Sequence, residues 1–173
     1  MPRVLLTRLS PPVFSSIMYT PDQAVGRNAP NDRTDVLLVQ FMLRVATSGK
    51  INWSSYQIAP AANPSIGRLA AVAHPLSTNL PGTDFLGDPI VIDGICGPQT
   101  ISFIESFQRE MVQRGDMSSP VDGQVAPLGN DRQPTIRLLD TVLFQAAKQG
   151  LFPMDDLRRS PFFPRELSDY FYE

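Results

Sequence analysis

The sequence has few of the residues on which most catalytic and metal sites depend. Histidine and cysteine occur once each, as His74 and Cys96, in 173 residues. One cysteine cannot form an internal disulfide or an all-thiolate metal site, and no HExxH segment or paired-histidine spacing exists for zinc. We interpret His74 as an ordinary residue and Cys96 as a small apolar residue of a turn, rather than as a thiol nucleophile at a helix start. We therefore predict a protein that is not an enzyme, with no catalytic residue, metal site or cofactor.

Charge and long apolar runs are scarce as well. Charged residues make up 18% of the chain and the formal net charge is −2. Without a long basic run, nucleic acid is not an expected partner. No window approaches ~18 consecutive apolar residues, so no membrane partner is expected either. The apolar run after Met1 is too short for a secretion signal peptide, and we expect a chain that is cytoplasmic as synthesised.

Proline is abundant, with 17 residues, about twice its usual share, and it divides the chain. Prolines among short apolar patches in residues 1–34 predict an extended N-terminal arm. Prolines and aromatic residues alternate in residues 151–173, a C-terminal arm that either packs on its own domain or docks into a neighbour. Prolines and glycines in residues 50–89 prevent a continuous helix, which predicts a long loop insertion.

Three segments between the arms have the apolar period of amphipathic helices. Their expected first residues are Thr34 or Asp35 as a cap, Pro98, and a position near Pro134. Their expected terminal glycines are Gly49, Gly115 and Gly150. Their expected buried faces are Leu38, Phe41, Met42 and Val45, then Ile101, Ile104, Phe107 and Met111, then Leu139, Val142, Leu143 and Ala146. The sequence therefore predicts a mainly α fold.

A short turn motif occurs twice. Asp93-Gly94 and Asp122-Gly123 are each followed by two residues, a small residue and proline. Glycine adopts positive φ freely, and an aspartate side chain can accept hydrogen bonds from the amides that follow it. We interpret both aspartates as turn formers, with a ligand role as the less favoured alternative. The alternating oxygen ligands of an EF-hand are absent, so calcium is not predicted.

The order of these motifs resembles the peptidoglycan-binding-like domain family. The family pattern is a helix with Leu-Gln-x-x-Leu, then Asp-Gly-x-x-Gly-x-x-Thr, then a helix ending in Phe-Gln. Residues 39–43 read Val-Gln-Phe-Met-Leu, residues 93–100 read Asp-Gly-Ile-Cys-Gly-Pro-Gln-Thr, and residues 106–109 read Ser-Phe-Gln-Arg. The resemblance implies a compact three-helix peptidoglycan-binding-like domain over residues 35–150, with the insertion at 50–89 and an arm at either end.

The resemblance also implies a non-catalytic binding module that recognises peptidoglycan or another wall glycan, in a groove near the two turns. Trp53 and Tyr56 of the insertion are candidates for stacking on sugar rings, although covering the core is their plainer role. The full set of candidate ligand-binding residues is Asp93, Gly94, Gln99, Thr100, Asp122, Trp53 and Tyr56.

A structural or interaction component of a larger assembly is the alternative function. A bacteriophage particle or a contractile injection apparatus could use the same fold for protein contacts. The absence of a secretion signal favours this alternative, as do the two arms, 1–34 and 151–173, through which protein partners would bind. Such a chain would end in a virion or an injection assembly.

Overall fold

The computed structural model describes residues 2–6, 17–48, 88–114, 117, 120–128 and 134–171, and the structural statements below concern these residues. Helical residues far outnumber strand residues, so the fold is mainly α, as predicted. The helices are α1 (Arg33–Ala46), α2 (Pro98–Gln113), α3 (Pro134–Lys148) and the short α4 (Ser168–Phe171). The strands are β1 (Arg3–Leu6), β2 (Ile17–Thr20), β3 (Val25–Gly26) and β4 (Gln124–Val125).

Helix α1 begins slightly earlier than predicted, because Asp32 caps it. Its side chain accepts hydrogen bonds from the backbone nitrogen of Thr34 at 3.1 Å and from the Thr34 hydroxyl at 2.7 Å. The hydroxyl bond holds the pKa of Asp32 below its usual value. Asp35 is fully buried, and its two carboxylate oxygens accept hydrogen bonds from the amides of Asp22 and Gln23 at 2.9 and 2.8 Å. The prediction of Thr34 or Asp35 as the cap was wrong, and Asp35 instead anchors the chain that precedes the helix.

Helices α2 and α3 begin at their prolines as predicted. Gly97 is the N-cap of α2, and Arg114 is its C-cap. Beyond the end of α3, Gly150 has a φ of 76° and donates its N–H to the carbonyl of Ala147 at 2.9 Å. The predicted glycine stop of α3 is therefore confirmed. The predicted stops Gly49 and Gly115 lie outside the described residues.

The hydrophobic core lies among α1, α2 and α3. All the apolar faces predicted from helical periodicity are buried, except that Ile101 is only half-buried. Helix α1 is buried almost all round, since only Arg33, Thr34 and Arg44 reach solvent appreciably. A single apolar stripe is typical of a surface helix, whereas α1 is the central helix and needs cover on its remaining sides.

The N-terminal strands supply part of that cover. Strand β2 pairs antiparallel with β1, with Arg3 opposite Thr20, and β3 pairs antiparallel with β4. Tyr19 of β2 and Val25 of β3 are buried in the core. The amide of Tyr19 donates a hydrogen bond of 2.9 Å to the buried carboxyl of Asp140 in α3. The strand segment at 17–26 therefore packs on the helices of its own chain.

The C-terminal segment packs on the same core, which is the first of its two predicted alternatives. Phe163 meets Phe41 of α1 edge to face, with ring centroids 5.4 Å apart. Phe171 of α4 meets Tyr19 in the same way at 5.3 Å. The hydroxyl of Tyr19 also donates to the carbonyl of Met154 at 2.8 Å. Edge-to-face pairs suit the charge distribution of aromatic rings, so the aromatic residues join the C-terminal segment to both α1 and β2.

Candidate functional site

Gln40, in the middle of α1, organises the first Asp-Gly turn. Its Nε2 lies 3.0 Å from Asp93 Oδ1, 3.1 Å from the carbonyl of Ile95 and 3.0 Å from Thr100 Oγ1. An amide NH₂ has two hydrogens, so these three contacts share them. The Gln40 Oε1 accepts the backbone N–H groups of Asp93 and Gly94 at 3.1 and 2.9 Å. One buried side chain thus joins α1, the turn and the start of α2.

Gln108, in α2, organises the second turn in the same way. Its Nε2 lies 2.7 Å from Asp122 Oδ1, 2.9 Å from the carbonyl of Gln124 and 3.1 Å from Thr135 Oγ1. Its Oε1 accepts the backbone N–H groups of Asp122 and Gly123 at 3.1 and 2.9 Å. The same set of bonds therefore joins α2, the second turn and the start of α3.

We name these arrangements the Gln40 cluster (Gln40, Asp93, Gly94, Ile95, Thr100) and the Gln108 cluster (Gln108, Asp122, Gly123, Gln124, Thr135). In each cluster the aspartate also accepts the amide two residues further on, at 2.9 Å. The turn glycines have φ values of 72° and 70°, a region that disfavours a Cβ. The fold thus contains two copies of one helix, turn and helix unit, and α2 belongs to both.

The predicted candidate residues fall into three groups. Asp93, Gly94 and Thr100 meet in the Gln40 cluster, and Asp122 lies in the Gln108 cluster. The remaining three are Gln99, whose Oε1 accepts the amide of Val91 at 3.3 Å, and Trp53 and Tyr56, which lie outside the described residues. The Oδ1 atoms of Asp93 and Asp122 and the Oγ1 of Thr100 make hydrogen bonds within the protein, as the turn-former interpretation expects.

The sequence interpretation did not single out Gln40 or Gln108 as site residues. Both are almost completely buried, although glutamine is usually exposed. The signal was present in the sequence, since each glutamine lies beside or within the apolar face of an amphipathic helix. A polar residue in that position needs buried partners, and the backbone of an Asp-Gly turn provides them.

The electrostatic setting of the first turn is well defined. The hydrogen bond from Gln40, followed by that from the Ile95 amide, holds the pKa of Asp93 below its usual value. Arg33 lies alongside, donating to the carbonyl of Asp93 at 2.7 Å and to both carboxylate oxygens of Glu166 at 3.2 and 3.1 Å. Asp93 is therefore ionised at neutral pH, within the turn that it shapes.

Apolar side chains are exposed around the turns. Ile95 is 64% exposed and Val91 is 54% exposed, on either side of Asp93. Val121, beside Asp122, is 39% exposed. Isolated exposed apolar residues are ordinary, but Ile95 and Val91 flank one rigid turn. We name Val91, Ile95 and the backbone between them the first-turn rim.

Strand β3 covers the second turn. The amide of Arg27 donates to the carbonyl of Gly123 at 3.0 Å, and the Arg27 guanidinium forms an ion pair with Glu105 of α2. A Cβ on Gly26 would lie 2.0 Å from the Gly123 carbonyl oxygen, so the approach requires glycine. The N-terminal segment therefore covers the second turn at Gly123, although Val121 and Asp122 remain exposed.

Cys96 lies between the first turn and α2. Burial raises the pKa of its thiol, and this effect exceeds the opposing effect of the Gly26 amide. A raised pKa leaves less thiolate at neutral pH, and thiolate is the reactive form. The structure favours the interpretation of Cys96 as a half-buried apolar residue.

Two further features bear on chemistry. Within the ranges that the structure describes, no group of three or more histidine, cysteine, aspartate or glutamate side chains is arranged to hold a metal ion. None of the described helices is long and apolar enough to cross a membrane.

Comparison with known proteins gives no relative for this chain. No family model, no curated protein sequence and no solved structure matches it.

Proposed function

We propose that this chain is a non-catalytic binding module that recognises a cell-wall polymer, with peptidoglycan as the first candidate. The two glutamine clusters are the observation that supports this proposal most strongly. The resemblance to peptidoglycan-binding-like domains rests on glutamine in a helix, an Asp-Gly turn and a threonine at the next helix start. In this chain those residues touch one another, and the same set of contacts occurs twice.

The first-turn rim is the binding surface that this geometry favours. Thr100 is buried and the Oδ1 of Asp93 is held within the turn, so a ligand would meet the outer side of the turn, where Asp93 is exposed. There Ile95 and Val91 offer apolar contact to the carbon face of a sugar ring or to an aliphatic side chain of a stem peptide. Arg33 and Glu166, both more than half exposed, lie beside the turn and supply charges of both signs.

Co-sedimentation with insoluble peptidoglycan tests the proposal. The wild-type protein should pellet, and Ile95→Asp should reduce the pelleted fraction several-fold, because it places a charge in the apolar contact. Val112→Asp is the matched control, since Val112 is also exposed, at 40%. It lies 14 residues beyond Pro98 in α2, which is about 20 Å along the helix. This variant should pellet like the wild type.

An assembly component is the second candidate, and the exposure of Ile95 favours it as well, because apolar surface also marks protein contacts. If the wild-type protein stays in the supernatant at every peptidoglycan concentration, this result would contradict the wall-binding proposal and favour the assembly component. Equal pelleting of Ile95→Asp and Val112→Asp would remove the first-turn rim as the binding surface. Deletion of residues 151–173 is unsuitable as a control, because Phe152, Leu157 and Leu167 belong to the core.

A further inference from the structure

A pocket of about 160 Å³ lies between the end of α1 and the first part of the C-terminal segment. Its apolar wall consists of Val45, Leu151, Phe152, Pro161 and Phe162. A cavity of about 150 Å³ lined by apolar side chains is large enough for benzene. The pocket therefore has room for one six-membered ring or an aliphatic group of similar size.

The pocket wall also holds two hydroxyl groups, those of Ser48 and Ser160. The Ser48 hydroxyl donates to the carbonyl of Val45 at 2.8 Å. Ser160 lines the pocket and is only 5% exposed. Its Oγ accepts a long hydrogen bond of 3.4 Å from the amide of Phe162. Across the described part of the chain, no group accepts a hydrogen bond from the Ser160 hydroxyl. Because a buried donor without an acceptor is costly, an oxygen atom of a ligand is a suitable partner.

A positive charge lies next to the same wall. The guanidinium of Arg44 is 5.1 Å from the centroid of the Phe162 ring, and in the described ranges Arg44 has no ion-pair partner. The C-terminal end of α1 carries about half a negative charge, which opposes an anion. That end is partly satisfied, since the hydroxyls of Thr47 and Ser48 donate to carbonyls of the last turn at 2.9 and 2.8 Å. Arg44 lies behind the lining residue Phe162 and does not line the pocket itself, but it carries a full charge against about half a charge at the helix end, and this difference favours an anion.

We propose that this pocket binds a small apolar carboxylate. The ring or aliphatic group fills the apolar space, and one carboxylate oxygen accepts a hydrogen bond from the Ser160 hydroxyl. Arg44 attracts the negative charge. The proposal is independent of wall binding, because the pocket shares no residue with the first-turn rim.

A titration followed by amide NMR of the full chain tests this proposal, with three ligands that share one ring. Benzoate should shift the amides of Val45, Ser160 and Phe162 with a Kd on the order of 1 mM, as expected for a ligand of this size. Benzyl alcohol should bind several-fold more weakly, and benzylammonium more weakly still. The absence of saturable shifts at these amides would overturn the proposal. Equal affinity for the three ligands would overturn the role of charge.

Variants separate the contributions. Ser160→Ala and Arg44→Gln should each weaken benzoate several-fold, and Arg44→Gln should leave benzyl alcohol unchanged. Arg137→Gln is the control, because Arg137 is an exposed arginine near the N-terminal end of α3, whereas the pocket residues Leu151 and Phe152 follow the C-terminal end of that helix. Amide spectra that retain their dispersion establish folding. If Arg44→Gln binds benzoate as tightly as Arg137→Gln does, Arg44 has no part in the site.

A small free acid and the C-terminal residue of a protein chain can both present a carboxylate next to an apolar group. Benzoate represents the first source, and the tripeptide Gly-Gly-Phe, compared with its C-terminal amide, represents the second. Tighter binding of the tripeptide than of benzoate would assign the pocket to chain ends, and the reverse would assign it to free acids. If the amide binds as tightly as the acid, the carboxylate is not recognised and the proposal fails.

Discussion

The two Asp-Gly turns share one hydrogen-bonded frame but differ in what covers them. The second turn is partly covered by β3, whose Gly26 packs directly on the backbone of Gly123, and its exposed apolar residue, Val121, is only 39% exposed. The first turn keeps an exposed rim, where Ile95 is 64% exposed, and the three atoms nearest to a Cβ added at Gly94 would all belong to the side chain of Arg33. The glutamine clusters therefore explain the fold, and the difference in cover explains why the first turn is the better candidate for binding.

The largest expected effect tests whether the two clusters are equivalent. Gln40→Ala and Gln108→Ala should each destabilise the protein by about 4–5 kcal/mol, since each leaves several buried donors and acceptors without partners. Urea unfolding of the two variants measures this. The two losses should agree within about 1 kcal/mol. A cluster whose glutamine can be removed at little cost would not hold the fold together.

The packing of β2 on α3 should depend on pH, because the amide of Tyr19 donates a hydrogen bond to the buried carboxyl of Asp140. Burial raises the pKa of Asp140 to about 7, from a usual value of 3.8. The folded protein then binds this proton more tightly than the unfolded chain does. The stability that this bound proton gives to the folded protein is therefore fully present below about pH 4 and declines as the pH rises to about 7. The difference of roughly 3 pKa units corresponds to about 4 kcal/mol.

Asp140→Asn isolates this contribution, because the amide oxygen can still accept the Tyr19 N–H while the charge is removed. The stability of the variant relative to wild type should increase between pH 5 and pH 8, as measured by urea unfolding at each pH. A relative stability that does not change across this range would mean that Asp140 does not titrate there. Carboxyls with lowered pKa, such as Asp93, act in the opposite direction at lower pH and are common to both proteins.

Three glycine substitutions compare the contact between β3 and the second turn with the backbone of the first turn. Gly26→Ala should cost at least about 3 kcal/mol, because its Cβ would overlap the backbone of Gly123 in addition to the unfavourable φ of 126°. Gly94→Ala should cost about 1–2 kcal/mol, since the three atoms nearest to its Cβ all belong to the flexible side chain of Arg33. Gly150→Ala is the control for φ alone, with open space around it. Thermal unfolding should rank the three variants in this order, and a reversed order would contradict the described closure of the second turn.

The smallest effects should come from the surface ion pairs. Arg27→Gln removes the pair with Glu105 and should cost roughly 0.5 kcal/mol, because the arginine is more than half exposed. Arg33→Gln, beside the first turn, should fall within the error of the same urea measurement. A large loss for either variant would show that charge, rather than the glutamine clusters, fixes the turns.

The sequence allowed the helices and turns to be predicted because these depend on local patterns. Apolar periodicity and the prolines located α2 and α3, and the Asp-Gly pairs located both turns. The predicted start of α1 was wrong because Asp32 and Asp35 are both suitable caps in the sequence. Only the tertiary contacts of Asp35 with Asp22 and Gln23 show that Asp32 is the cap. Ile101 was assigned to the buried face but is half-buried, since it lies beside the surface near Gly123.

The rest of the arrangement depends on long-range contacts that no local pattern records. The bond from Tyr19 to Asp140 spans 121 positions, and Arg33 meets Glu166 across 133. The candidate site was located only in part. Asp93, Gly94 and Thr100 were selected together, whereas the exposed Ile95 and the central Gln40 were identified only from the folded structure.

We propose that the first-turn rim recognises a wall polymer. An amide NMR titration of the full chain with soluble peptidoglycan fragments tests it most directly. Binding at the first-turn rim predicts saturable shifts centred on Val91 to Ile95, with much smaller shifts at Val121 to Gln124 in the second turn. Shifts of equal size at both turns, or none at either, would contradict it.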